Sequence, residues 1–193
     1  VVLMALHLNK KGLRVLGIAE SFTKSRSTSQ LAGVVMRRDL RIDGFGFARI
    51  RVGGDDATEG VLKIFDSLDR RDVNALILNG TVISWFNIID IDRIFKELNL
   101  PVISLTYEES EGLEEYIREY FSEPEEKIRQ YHKLGLRKSL ELKTGFDVYV
   151  RSLGVTPEES RILLNYFTLD GRVPEPLRVA RLLARRLLRD EIG

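Results

Sequence analysis

The sequence predicts a single α/β domain, residues 1–193, built on a mixed sheet with antiparallel opening strands, later parallel strands and helices on both faces. Three observations predict it. With 44% apolar and 31% charged residues, the chain can bury a core and keep a charged surface, which excludes intrinsic disorder. The first fifty residues carry β-branched and alternating runs separated by turn signals. The middle then alternates apolar runs of strand length with patterns of helical period, the signature of βαβ crossovers and parallel pairing.

Taken in order, Leu13 to Ile18 is a β-branched run suited to a central strand. The Ser/Thr-rich stretch from Ser21 to Gln30 predicts a polar loop. Leu31 to Met36 and Phe45 to Val52 predict the next two strands, with Asp43-Gly44 as the hairpin turn between them. Gly53-Gly54 closes that unit, and Asp55 or Asp56 opens a helix to about Leu68 with Val61, Leu62, Phe65 and Leu68 on one face. Val73 to Leu78 and Pro101 to Leu105 are continuous apolar runs of the buried parallel type. Between them, Ile91, Ile94, Phe95 and Leu98 mark a helix.

Glu108 to Glu126 predicts an acidic amphipathic helix, and Ser122-Glu123-Pro124-Glu125 a further helix start of the capping-box kind. Phe146 to Val150 is a late strand. Thr156-Pro157-Glu158-Glu159 opens a helix to about Phe167, and a last helix follows Pro174 and Pro176 to about Asp190. The sheet is thus expected to hold five or six strands.

Composition narrows the chemistry. Cysteine is absent, which excludes disulfides and thiolate metal sites and makes a cytoplasmic location the expectation. Only His7 and His132 offer imidazoles, so zinc and histidine acid–base chemistry are poorly supplied. A net charge of +1 leaves a polyanionic partner to be decided by where the charges lie. Val1 to Leu6 is too short to span a membrane. Residues 1–12 are expected to lie outside the core, with Met4 as the natural start.

Three features carry candidate chemistry. Glu20, Asp43, Asp55 and Asp56 sit near the ends of the opening elements, and carboxylates converging from separate elements are what Mg²⁺ or Mn²⁺ needs in phosphodiester hydrolysis. The same residues also suit structural work: Asp55 or Asp56 caps a helix, and Asp43 precedes a turn glycine. Second, the loop Asn79 to Asn87 follows a parallel strand, where α/β sheets bind ligands. Trp85 and Phe86 offer stacking faces there, or cover for the sheet edge, and Asn79 and Asn87 offer hydrogen bonds to a base. Third, Arg178, Arg181, Arg185 and Arg189 share one helix face, with Arg172 and Arg186 nearby. Such a stripe suits a phosphate backbone, and equally a solvated face paired with the acidic segment. Neither a glycine-rich phosphate loop nor a nucleophile elbow is present.

The ordered motifs resemble endonuclease V and, with it, the ribonuclease H-like fold. Gly17-Ile18-Ala19-Glu20-Ser21-Phe22 resembles that family's first strand end, and Leu76-Ile77-Leu78-Asn79-Gly80 its central apolar-Asp-Gly motif. Pro101 to Leu105 resembles its next strand. Val148-Tyr149-Val150 and Gly171-Arg172-Val173-Pro174-Glu175-Pro176-Leu177-Arg178-Val179-Ala180 resemble its Tyr-Val strand and its Arg-x-Pro-Glu-Pro-x-Arg-x-Ala segment. Arg37 to Phe45 and Val52 to Glu59 are similar to an archaeal relative of endonuclease V called domain of unknown function ninety-nine.

The resemblance implies roles that this chain only partly fills. The first metal-binding aspartate falls on Ala19, with Glu20 one place along and facing the other way unless the strand bulges. The second falls on Asn79, the histidine on Trp85 and the lysine on Tyr107. Asp55, Asp56 and Glu59 lie near the place of the catalytic glutamate. The implied function is nucleic-acid binding, to DNA or RNA, with the two-metal nuclease site lost or weakened, and with Asn79, Trp85, Asn87, Arg172, Arg178 and Arg181 as contacts. One alternative is an active Mg²⁺- or Mn²⁺-dependent endonuclease with Glu20, Asp55 and Asp56 as metal ligands and Asp43 beside them. Another is a protein-interaction module working through its acidic helices.

Overall fold

A computed structural model of the chain describes residues 2–191. Three antiparallel strands open it: β1 (Arg14–Ser21), β2 (Thr28–Arg37) and β3 (Ile42–Arg51). Helix α1 (Ala57–Leu68) leads to β4 (Ala75–Leu78), which lies parallel to β1. A small hairpin, β5 (Val82–Ile83) and β6 (Asn87–Ile88), precedes α2 (Ile91–Leu98) and then β7 (Val102–Thr106), parallel to β4. Helices α3 (Glu114–Tyr120) and α4 (Pro124–Lys133) cross to β8 (Lys138–Glu141) and β9 (Asp147–Leu153), and α5 (Pro157–Phe167) and α6 (Glu175–Asp190) complete the chain. The strand order is β3-β2-β1-β4-β7-β9-β8, with β9 antiparallel to both β7 and β8.

The sheet therefore has seven strands rather than five or six. The additional strand, β8, reads Lys-Ser-Leu-Glu and is largely exposed, so no apolar period announces it. Its place at the sheet edge explains why a polar segment is tolerated there. The first hairpin also turns earlier than expected. Arg37 accepts from Leu40 and donates to Arg41, Leu40 takes a left-handed φ of 68°, and the Asp39 carboxylate pairs with Arg37 and Arg41. Asp43-Gly44 consequently lies inside β3, where a register shift at Val35/Met36 absorbs the offset. Thr28 to Gln30, expected in a loop, belong to β2. Gln30 pairs there with both neighbouring strands and Ser29 with β3, and both side chains are buried. The acidic segment breaks into α3 and α4 at the expected Ser122–Glu125 start, although no side chain caps α4. The full capping box forms instead at α5, between Thr156 and Glu159.

Two apolar layers sandwich the sheet. On one side Val15, Ala19, Val34, Ile77 and Ile103 pack against Leu163, Phe167, Leu177, Ala180 and Ala184 of α5 and α6. On the other, Leu16, Ile18, Leu31, Leu76 and Leu78 pack against Val61, Ile64, Ile91 and Ile94 of α1 and α2. The alternation of β1 between layers is the period-2 geometry of a strand buried on both faces. The described part of the N-terminal segment, residues 2–12, is not free of this body. Met4 donates to the Gly154 carbonyl at 2.8 Å, and Leu6 and Leu8 pack on the α5–α6 layer.

Helix α6 approaches β1 so closely that a Cβ on Gly17 would lie 2.7 Å from the Pro176 Cβ and 3.0 Å from its carbonyl carbon. The Pro-Glu-Pro segment is thus the seat of the helix. Gly17→Ala should lower stability by about 1–3 kcal/mol, the usual cost of overpacking, read as a lower urea midpoint. An unchanged midpoint would mean that α6 retreats freely.

Candidate functional site

Strands β1, β4 and β7 run parallel and end side by side, placing Glu20, Asn79 and Tyr107 along one edge of the sheet. That is where open α/β sheets leave a crevice. Here it is an open pocket of about 500 Å³, lined by these three residues, by Ser21, Phe22, Leu105 and Thr106, and by Arg181 and Arg185 of α6.

The pairing of β1 with β2 continues without a bulge through Glu20 and Ser21, so Ala19 and Glu20 point to opposite layers. Ala19 is 3% exposed and belongs to the apolar layer beneath α6. Glu20 turns toward the β5–β6 hairpin, where the Ser84 hydroxyl donates to its carboxylate at 3.0 Å. The buried Ser29 donates in turn to Ser84 at 2.6 Å. Burial pushes the Glu20 carboxyl above the ordinary carboxylate range, against the opposing pull of the Ser84 hydrogen bonds and the Arg181 charge.

Asn79 accepts a 2.7 Å hydrogen bond from the Tyr107 hydroxyl, and burial pushes that phenol upward. Arg172 donates to the Tyr107 carbonyl and pairs with Glu108, so it fastens the loop after β7. Arg178 is held in a two-pronged pair by Glu175 of its own helix. Arg181 and Arg185 are exposed and have no carboxylate partner among the described residues.

The remaining carboxylates do not join Glu20. Asp43 lies at the far end of the sheet, 2.6 Å from Arg14 at the start of β1. Asp55 faces the Lys127 ammonium at 2.9 Å. Asp56 occupies the N-cap of α1, yet its side chain accepts from the Arg51 amide and from Asn87 rather than from the helix. Asn87 is fully buried, and accepts from the Ala57 amide while donating to the Arg51 carbonyl and Asp56. It caps α1 from a distance and presents nothing to a base. Among the described residues, no three His, Asp or Glu side chains are placed to share a metal ion. A two-ion site of the expected kind does not fit this donor set: Glu20 is the one carboxylate lining the pocket, beside two arginines.

Sequence reasoning missed Lys127. Its ammonium, with only 8% of the side chain exposed, donates to the carbonyls of Gly54 and Phe86 as well as to Asp55. A single lysine in an acidic helix gives no period to read, and only its neighbour Ile128 hints at the buried face. Above it, Ser84, Trp85 and Phe86 form the hairpin tip with successive left-handed φ values of 44°, 63° and 61°. Trp85 is half-buried, its ring 4.7 Å from that of Tyr120 and 5.1 Å from that of Phe86.

Comparison with known proteins places these features in context. The chain is 37% identical over 170 residues to a UPF0215 protein of Pyrobaculum aerophilum, covering 88% of this chain and 91% of that one. It is 35% identical over 170 residues to a UPF0215 protein of Pyrobaculum calidifontis, covering 88% and 93%. The sequence profile of the family described as Endonuclease dU matches residues 11–188. Among solved structures, a protein from Archaeoglobus fulgidus superposes with a TM-score of 0.77 at 24% identity, covering 91% of this chain and 98% of that one. Human ENDOV superposes with a TM-score of 0.70 at 16% identity, covering 100% and 92%. Ciona intestinalis endonuclease V, solved with DNA containing an inosine followed by a ribo-adenosine, gives 0.60 at 14% identity, covering 93% and 87%. At these identities the solved structures establish a shared fold, the ribonuclease H-like fold of endonuclease V.

Two outcomes follow from the geometry. Lys127→Met leaves two half-buried carbonyls without their charged donor and should cost about 1–3 kcal/mol, measured by denaturant unfolding; a loss below the error of the melt would show that water replaces the ammonium. Glu20 ionises near 4.5 when unfolded and higher when folded. Between those values the native state holds the extra proton, so this residue's contribution falls as pH rises through the window and stays lost above it. Glu20→Gln should therefore melt no lower than the parent chain at neutral pH, with the difference closing toward pH 4.5. A variant clearly less stable at neutral pH would contradict the burial argument.

Proposed function

Because the chain belongs to the Endonuclease dU family, we propose that it binds nucleic acid across the strand-end pocket, with the carboxylate set of an endonuclease V-type two-ion cleavage incomplete. The observation that carries this reading is the pair Arg181 and Arg185, exposed and without carboxylate partners among the described residues, beside a single burial-raised carboxylate. Unpaired guanidinium groups recruit phosphates through charge-assisted hydrogen bonds and counterion release. The fold shared with endonuclease V supports the same reading, since the Ciona protein was solved on DNA. Arg178 and Arg172, already engaged by Glu175 and Glu108, act as supports rather than contacts in this reading.

The test is anisotropy of labelled DNA and RNA over a range of salt. Replacing both Arg181 and Arg185 with Ala should weaken binding and reduce the salt slope by roughly one to two, about 0.9 per lost phosphate contact. Binding that is absent, or unchanged in the double variant, would sink the proposal.

One second reading has a specific observation behind it. The family description names an endonuclease, and Glu20 is a carboxyl held at the end of β1 where hydrolytic chemistry would need one. On that reading the chain cuts DNA at deoxyuridine, with Glu20 as the carboxyl that acts at the phosphodiester. Glu20→Gln should then abolish cleavage of a deoxyuridine-containing strand while leaving its binding intact; cleavage surviving in Glu20→Gln, or absent from the parent chain, rejects it.

A further inference from the structure

Trp85 is the only tryptophan of the chain, and it stands at the tip of a hairpin whose three successive residues all take left-handed backbone angles. L-residues with side chains adopt that conformation at a cost, and it persists only where surrounding contacts impose it. Here they do. The Ser84 carbonyl accepts from the Gly53 amide at 2.8 Å, and the Phe86 carbonyl accepts from Lys127 at 2.9 Å. The tip is thus clamped on both sides of Trp85. Burial alone does not account for this, because the ring is only half-buried and leans on Tyr120, which is 47% exposed.

What lies over the indole is informative. The Lys24 ammonium sits 3.7 Å from the ring centroid, and Lys24 is an exposed residue of the loop between β1 and β2. It has no carboxylate partner among the described residues, so the ring is its principal partner. A lone exposed cation–π contact is a weak one. It can give way to a flat ring that offers more contact area, and the freed ammonium then reaches a flanking phosphate. The place is also right. Trp85 follows Ser84, which binds Glu20 at the pocket edge, and Lys24 follows the pocket residues Ser21 and Phe22.

We propose that Trp85, backed by Tyr120, is a stacking platform for one unpaired nucleobase, and that Lys24 covers the indole until that base displaces it and then holds its phosphate. This rests on the nucleic-acid reading above and adds the substrate class: a single-stranded or extruded base. Inside a duplex, neighbouring base pairs cover both faces of each base, so a platform of this kind takes only a base that has left the stack.

Because Trp85 is the sole tryptophan, its fluorescence reports the platform without labelling. Emission is followed while the protein is titrated with a short single strand, the matching duplex and an abasic strand of equal length, with anisotropy of labelled strands in parallel. The single strand should bind and quench Trp85, and the abasic strand should bind without quenching. Trp85→Ala should weaken single-strand binding on the order of tenfold or more, with Trp85→Phe restoring most of it. Tyr120→Ala, at an exposed position that spares the fold, should weaken binding in the same direction, and Lys24→Ala should preserve the quenching. Single-strand binding with unchanged emission overturns the platform alone. No binding of any strand by anisotropy overturns the nucleic-acid reading and the platform with it.

Discussion

Helix α6 can serve the pocket only because Gly17 lets it sit directly on β1. Contact begins at Pro176, and helix and strand then run toward the same edge. Five and nine residues of helix rise carry Arg181 and Arg185 about 8 and 14 Å along the axis, while three residues of strand carry Glu20 about 10 Å. The two guanidinium groups therefore arrive level with the end of β1. Any side chain at position 17 would push the helix outward and move both arginines with it. At the other end of α6 the same alignment is secured by Arg26, which donates to the Leu188 carbonyl and pairs with Glu191.

The second constraint is charge placement. Asp43, Asp55 and Asp56 each find a different partner before any ligand arrives: Arg14, Lys127, and the Arg51 amide with Asn87. Each pair fastens one junction of the fold, so these carboxylates hold the framework of the site, and Glu20 is the carboxylate that lines the pocket among the described residues. Lys127 does most at this junction, because one buried ammonium joins α4 to the start of α1 and to the hairpin tip. Three carbonyl or carboxylate acceptors around one cation offset its loss of water. The strained tip is then a consequence of the clamp rather than of the tip's own sequence.

The positions where the endonuclease V resemblance implies the two aspartates and the histidine carry residues with structural partners here. Ala19 completes an apolar layer, Asn79 accepts from Tyr107, and Trp85 caps an aromatic cluster. Each fits its surroundings, with no buried side-chain polar atom left unpaired among the described residues.

The amino-acid order alone determined the α/β class, the antiparallel opening, the parallel strands β4 and β7, and helices α1, α2, α5 and α6, because apolar period is a local property that one segment carries by itself. It also marked Glu20 and Arg181 as candidates, and strand alternation alone set Glu20 against Ala19. It did not reveal β8, whose polar side chains are ordered by pairing with β9, nor the turn at Arg38–Arg41, where Asp39 outweighs the stronger signal of Asp43-Gly44. Only the tertiary structure decided that Asn87 is a buried cap, that Lys127 is a clamp, and that Arg178 is engaged while Arg181 and Arg185 are free among the described residues. For Asn87 and Lys127 the reason is distance along the chain; for Arg178, whose partner Glu175 is three residues away, it is which nearby carboxylate the fold turns toward it. A hydrogen bond or ion pair between residues dozens of positions apart leaves no period in the sequence, and the fate of a charge depends on which partner the fold brings within reach.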